Sequence, residues 1–177
     1  MKTAVTTHYK DVYDTESAEI RRRFEGDTSN GAGRAACAAR SALVDRIVAG
    51  LFADHAGESA GLCLIALGGY GRGLLFPSSD IDLLFLSADE VVEARYKEAL
   101  SLFTQSLWDI NLKPGQTSRT PGECGRLHRD NLEFNVGLLD ARYLAGEERM
   151  FTDLKRRVIP ASLRSNGAEM ATNLATM

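Results

Sequence analysis

Two neighbouring segments decide the fold of this chain: Gly68-Gly69-Tyr70-Gly71-Arg72-Gly73 and Pro77-Ser78-Ser79-Asp80-Ile81-Asp82. The first follows an apolar run, residues 62–67, which is typical of a strand buried on both faces. Glycines at that position let the backbone turn sharply and leave amide groups open to a ligand. A second apolar run, residues 81–86, predicts another strand, so Asp80 and Asp82 share one of its faces.

This arrangement of residues favours chemistry on a phosphate. Two adjacent carboxylates repel each other unless a cation lies between them, and Mg²⁺ typically takes one or two carboxylates plus substrate phosphates. The glycine turn, Gly68 and Gly69 above all, is expected to bind those phosphates, with the Ser78 and Ser79 hydroxyls as further donors. Either half alone is more often structural, as a turn or a solvated strand edge. The glycine turn and the Asp-x-Asp pair together indicate a function, because carboxylates within so apolar a run cost free energy.

Two other phosphate-binding motifs do not fit. The dinucleotide motif G-x-G-x-x-G fails because Leu74 stands where its last glycine belongs, and the chain has no Gly-Lys-Ser/Thr.

Outward from this stretch, the pattern predicts alternating helices and strands. Apolar spacing indicates helices over 15–24, 35–53 and 90–108. An edge strand is predicted over 112–118 because Pro114 cannot donate to a central ladder. Thr120, Pro121 and Glu123 form a capping box, and a last helical face runs from Leu132 to Tyr143 before a helical tail. The sequence thus predicts an α/β (α+β) fold, a small mixed sheet covered by helices.

Composition sets broad limits. The 177 residues, 44% of them hydrophobic, with a net charge of −3, fit one globular domain and show no bulk attraction to nucleic acid or membrane. We divide the chain into an extension (1–30), a main domain (31–157) and a helical tail (158–177). Three scattered cysteines form neither a disulfide framework nor a zinc motif. With no apolar signal segment, the cytoplasm is the expected location.

The chain resembles a known family. The glycine and Asp-x-Asp segments, Trp108-Asp109, and the segment from Leu138 to Gly146 are similar to the N-terminal domain of bacterial PII uridylyltransferases, members of the DNA polymerase beta-type nucleotidyltransferase superfamily. The resemblance covers residues 31–151. It implies transfer of UMP from UTP to a tyrosine of the PII signalling protein in nitrogen regulation, with Mg²⁺, or alternatively Mn²⁺, as cofactor.

The resemblance also implies roles for individual residues. Gly68 and Gly69 would bind the nucleotide phosphates, with Ser79 close by, and Arg72 would neutralise the triphosphate. Asp80 and Asp82 would hold the metal. Asp109 is our first choice for a third catalytic and metal-binding carboxylate, and Asp140 is the alternative. Tyr70 is a candidate for stacking on a base, whereas Trp108 is expected to close its helix against the core.

The chain departs from the family pattern in two places. Leu74 and Lys113-Pro114-Gly115-Gln116-Thr117 replace an acidic residue and an acid-Val-Gly-His-Ser segment, on the expected acceptor side. Family enzymes also carry downstream HD and ACT domains, so removal of UMP and glutamine control are not assigned to these residues. Two alternatives stay open: nucleotidyl transfer, such as adenylylation, to another protein or a small molecule, and a non-catalytic nucleotide-binding regulatory module.

Overall fold

The computed structural model describes residues 2–129 and 131–176, with side chains from residue 6 onward. In chain order the elements are α1 (Lys2–Gly26), α2 (Ala32–Ala56), β1 (Leu62–Ala66), α3 (Gly68–Gly71), β2 (Ile81–Ser87), α4 (Glu90–Asp109), β3 (Pro114–Arg119), α5 (Pro121–Cys124), α6 (Leu132–Gly137), a 3₁₀ turn (Leu138–Asp140), β4 (Arg142–Gly146), α7 (Glu148–Asp153), a π-helical turn (Leu154–Val158) and α8 (Ile159–Ala175).

The four strands form one mixed sheet in the order β3-β2-β1-β4. β1 pairs antiparallel with β2 and with β4, whereas β2 and β3 run parallel, with Asp82 opposite Gly115. The end of β1 and the starts of β2, β3 and β4 therefore meet at one edge of the sheet. Both the glycine turn and the Asp-x-Asp pair lie at that edge.

Alternation along the strands separates two apolar layers. Ile81, Leu83 and Phe85 of β2 join the core formed with α2 and α4, while Leu84 and Leu86 face the core that includes residues of α5, α6 and the C-terminal helices. Asp82 lies on the second face, at the open end of the strand. This two-layer arrangement confirms the predicted α/β fold with a small sheet covered by helices.

Several local predictions are confirmed, with longer elements than expected. α1 and α2 extend well beyond the predicted helices, and Pro114 begins an edge strand as predicted. Thr120 caps α5 with the complete capping box, although that helix has a single turn. Cys37, Cys63 and Cys124 are buried free thiols. The boundaries of the three proposed segments stay a prediction, and α1 contributes Tyr13 to the same core as α2.

The predicted helical face from Leu132 to Tyr143 is wrong in its second half. α6 ends at Gly137, a 3₁₀ turn follows, and Tyr143 lies on β4. The spacing of Val136, Leu139 and Tyr143 imitates a helix, but pairing with β1 determines the conformation of residues 142–146. Such pairing is non-local, so a five-residue run does not reveal it.

Candidate nucleotidyltransfer site

The glycine turn is a short helical turn at the end of β1. Gly68 has a φ of 52°, a left-handed conformation that favours glycine. The Gly71 amide donates to the Leu67 carbonyl (2.7 Å), and Leu67 supplies no capping side chain. The first amides of a helical turn have no acceptor within it, so the amides of Gly68 and Gly69 are suited to binding an anion.

Arg142 holds this turn in place from β4. Its guanidinium binds both carboxylate oxygens of Asp45 on α2, at 2.7 and 3.0 Å. It also donates to the backbone carbonyls of Tyr70 (3.0 Å) and Gly71 (3.2 Å). A planar fork of donors allows one arginine to satisfy all these acceptors. The segment that carried part of the family resemblance thus has a structural role in fixing the glycine turn.

Asp82 lies between two glycines that leave room for its carboxylate. A Cβ on Gly68 would stand 3.3 Å from Asp82 Oδ2, and a Cβ on Gly115 would stand 2.7 Å from Oδ1. The carboxylate therefore occupies the space that side chains on the glycine turn and on β3 would fill. A side chain at position 68 or 115 would therefore crowd the Asp82 carboxylate, which explains why both positions are glycine.

A cleft of about 230 Å³ opens in front of this carboxylate, between the sheet and α6. Its lining includes Gly68, Asp82, Gly115, Thr117, Glu133 and Gly137. Burial raises the pKa of the Asp82 carboxyl above its usual value, and the charges of Asp80 and Glu133 raise it further. An excess of negative charge at a glycine-lined cleft suits a divalent cation, which would be held by Asp80 and Asp82.

Glu133 lines this cleft and is not among the residues that the sequence predicts for the site. It lies in the first turn of α6, which Asn131 caps by accepting from the Phe134 amide at 3.0 Å. Its side chain lines the same cleft as Asp82, although Asp82 lies fifty-one positions earlier in the chain. Acidic residues are common at the start of a helix because they stabilise the helix end, whatever the function of the protein. The sequence therefore held no signal that would have singled it out.

The structure places the other predicted carboxylates elsewhere. Asp109 is the last residue of α4 and is exposed. Among the described residues no group of three or more His, Cys, Asp or Glu side chains could hold a metal ion, so neither Asp109 nor Glu133 joins Asp80 and Asp82 in one. Asp140 forms an ion pair with Arg72. The assignment of Asp109 as third carboxylate stays a prediction.

Arg72 and the serines flank the site. The Arg72 Nη2 atom would lie 3.7 Å from a Cβ atom added to Gly69, so the Arg72 guanidinium lies beside the glycine turn. Ser78 and Ser79 are exposed in the turn before Asp80, where the Ser79 amide donates to the Phe76 carbonyl (3.2 Å). Neither serine lines the cleft at Asp82.

The two aromatic expectations are wrong. Tyr70 is buried in the core beneath Arg142, whose guanidinium carbon lies 5.4 Å from the ring centroid, so this ring does not stack on a base here. Trp108 is 54% exposed instead of closing α4 against the core.

Comparison with known proteins agrees with this geometry. Residues 58–135, which include the glycine turn, both aspartates and Glu133, match the family model described as "Nucleotidyltransferase domain". This part of the chain is therefore similar to nucleotidyltransferase domains. The match spans the site and the three strands β1, β2 and β3 that position it.

The chain is also similar to curated proteins called "Bifunctional uridylyltransferase/uridylyl-removing enzyme". It is 36% identical to the one from Caulobacter vibrioides over 138 residues (73% of this chain, 15% of the relative). For Methylococcus capsulatus the identity is 35% over 137 residues (77% and 16%), and for Pseudomonas putida 41% over 112 residues (63% and 12%). The resemblance seen in the sequence is confirmed, and the chain spans about a sixth or less of these relatives' length.

Proposed function

We propose that this chain is a nucleotidyltransferase that moves UMP from UTP to a tyrosine hydroxyl of a PII-type signalling protein, with Mg²⁺ as cofactor. The observation that carries the proposal is the Asp82 carboxylate, held between Gly68 of the glycine turn and Gly115 of β3. The names of the relatives support uridylyl transfer as the reaction. A cytoplasmic location and a role in nitrogen regulation belong to the same proposal. No helix within the described residues is long and apolar enough to cross a membrane.

The residues divide the reaction between them. The amides of Gly68 and Gly69 bind phosphate oxygens of UTP, and Arg72 adds positive charge beside them. Asp80 and Asp82 orient the cation, which when bound neutralises phosphate charge and acts as a Lewis acid. The tyrosine hydroxyl gives its proton to a carboxylate of the site, its oxygen forms a bond to the α-phosphorus, the bond from that phosphorus to the bridging oxygen breaks, and pyrophosphate leaves. Positioning and charge neutralisation are what this chemistry requires of a protein.

The third carboxylate has two candidates. Asp109 is the choice from the sequence, and Glu133 is the one that lines the cleft with Asp82. A carboxylate across the cleft from Asp82 is placed to face the acceptor hydroxyl. Parallel Glu133→Gln and Asp109→Asn substitutions distinguish the two.

The test is label transfer from α-labelled UTP to purified PII protein in the presence of Mg²⁺. We expect PII to gain the mass of one UMP on a tyrosine, and an Asp80→Asn/Asp82→Asn variant, shown to be folded by circular dichroism, to transfer no label. Label on PII from the folded double variant, or UTP binding by the wild-type chain without any transfer to PII, would contradict the proposal.

A further inference from the structure

An apolar groove lies between α1, the start of α2 and the segment that leads to Asp80. It encloses about 280 Å³. Its apolar walls are formed by Ile20, Phe24, Ala36, Leu75, Phe76 and Pro77. Two aromatic rings in this wall stay open to solvent: Phe24 is 48% exposed and Phe76 is 63% exposed. Large apolar side chains gathered at one exposed place mark a surface that another molecule covers.

The groove also carries positive charge that has no carboxylate partner. Arg21 and Arg40 line it, and its lining contains no Asp or Glu. In the run 21–23, Arg22 and Arg23 both pair with Glu19, whereas Arg21 forms no ion pair among the described residues. Arg21 therefore differs from its two neighbours, whose charges are paired within α1.

Arg40 is fixed at the groove by Tyr13. Its Nη2 donates to the Tyr13 hydroxyl (2.8 Å), and its guanidinium carbon lies 5.6 Å from that ring's centroid. Its Nε is buried and has no hydrogen-bond partner within the described part of the chain. A buried donor without an acceptor costs free energy, so the hydrogen-bonding capacity of Arg40 is only partly satisfied by Tyr13.

The groove lies close to the proposed reaction site. Leu75 is tied to α2 through its amide, which donates to the Cys37 carbonyl (3.3 Å). The Phe76 carbonyl then accepts from the Ser79 amide (3.2 Å), closing the turn that leads into Asp80. Phe76 and Asp80 are four residues apart, so even a fully extended chain would keep their Cα atoms within about 14 Å. A partner seated on Phe76 can therefore present a side chain to the metal site.

We infer that this groove docks the acceptor protein, through a segment that places an apolar side chain beside a carboxylate. The apolar walls would contact the apolar side chain, and Arg21 and Arg40 would pair with the carboxylate. The inference rests on the proposed function, since it names the surface that brings the acceptor to the site. A nucleotide is a poorer occupant because the groove is walled mainly by apolar side chains.

The experiment compares acceptor and nucleotide dependence in groove variants. Phe76→Glu and Arg21→Glu are each expected to raise the KM for PII protein tenfold or more, the range seen when a central interface residue is lost. The KM for UTP and kcat at saturating PII should stay within twofold. Matched controls outside the groove are Val91→Glu, an exposed apolar residue of α4, and Arg22→Glu. Both should behave as wild type.

A direct binding measurement keeps the inference separate from catalysis. Titration of labelled PII with the wild-type chain and with each variant needs no turnover, and the groove variants should bind at least tenfold more weakly. Equal binding by wild type and both groove variants overturns the inference, as does absence of PII binding to the wild type. So does self-association of the wild type that Phe76→Glu abolishes, because the groove would then join two copies. Loss of transfer with intact, groove-dependent PII binding would instead count against the proposed reaction.

Discussion

Replacing Gly115 with alanine should separate activity from stability. The new Cβ would stand 2.7 Å from Asp82 Oδ1, whereas ordinary contacts begin at 3.4 Å. The carboxylate must therefore move by at least about 0.7 Å. A misplacement of about 1 Å in a catalytic group costs on the order of a hundredfold in rate, so we expect a loss of roughly ten- to a hundredfold in kcat.

The same substitution should not weaken the fold. Gly115 is outside the left-handed region, and β3 is an edge strand. Alanine at a compatible position stabilises by about 0.4–1 kcal/mol because it reduces the freedom of the unfolded chain. The Asp82 carboxylate lines an open cleft and has room to move within it, so its movement should offset little of this. The free energy of unfolding should thus stay equal or rise while activity falls.

The assay is Mg²⁺-dependent label transfer from UTP to PII, together with urea unfolding of the same preparations. Gly167→Ala is the matched control, because a Cβ there meets nothing within 4 Å. Transfer within threefold of wild type in Gly115→Ala would refute the reasoning, since Asp82 would then not need its observed position. A parallel loss of unfolding free energy would show that the effect is structural.

Three further predictions concern the carboxylates. Glu133 lines the cleft, whereas Asp109 is exposed outside it. Glu133→Gln should therefore raise the Mg²⁺ concentration needed for half-maximal transfer severalfold, and Asp109→Asn should leave it unchanged. The reverse result would favour Asp109. Asp140→Asn removes a partly exposed ion pair, so it should cost less than about 1 kcal/mol in urea unfolding and keep transfer within a few-fold; complete loss of transfer would make Asp140 a catalytic residue. The pKa of Asp82 is raised, so the folded chain retains this proton above pH 3.8, where the unfolded chain loses it. The contribution of Asp82 to the free energy of unfolding should therefore fall as the pH rises from 3.8 through the raised pKa. Asp82→Asn should flatten the dependence of the free energy of unfolding on pH in that range, and an unchanged slope would count against the raised pKa.

Local signals predicted most of the fold and placed the Asp-x-Asp pair beside the glycine turn. The apolar run before Gly68 and the alternation after Asp80 predicted two strands and placed both carboxylates on one face, because strand periodicity depends on neighbouring residues alone. β4 was missed because its partner β1 is about eighty residues away. Tyr143 had the spacing of a helix, and only pairing with β1 made it a strand residue.

Glu133 was missed for a related reason. It reaches the cleft because α6 packs beside the glycine turn, where a Cβ on Gly137 would lie 3.7 Å from the Gly68 nitrogen. That contact is tertiary and leaves no local pattern. The choice from the sequence was Asp109 instead, because the resemblance implies a third acidic residue on a neighbouring strand and Asp109 leads into the predicted edge strand. The exposure of Trp108, next to Asp109, also depends on how α4 ends against the sheet.

The most direct test of the central claim is the affinity for a non-hydrolysable UTP analogue, measured by calorimetry with and without Mg²⁺. If Asp80 and Asp82 hold the cation beside the glycine turn, Mg²⁺ should strengthen binding to the wild-type chain at least tenfold. A folded Asp80→Asn/Asp82→Asn variant should show no such strengthening while still binding the analogue weakly through its glycine amides. An equal Mg²⁺ effect in both proteins would contradict the account, because the cation would then be held by other groups.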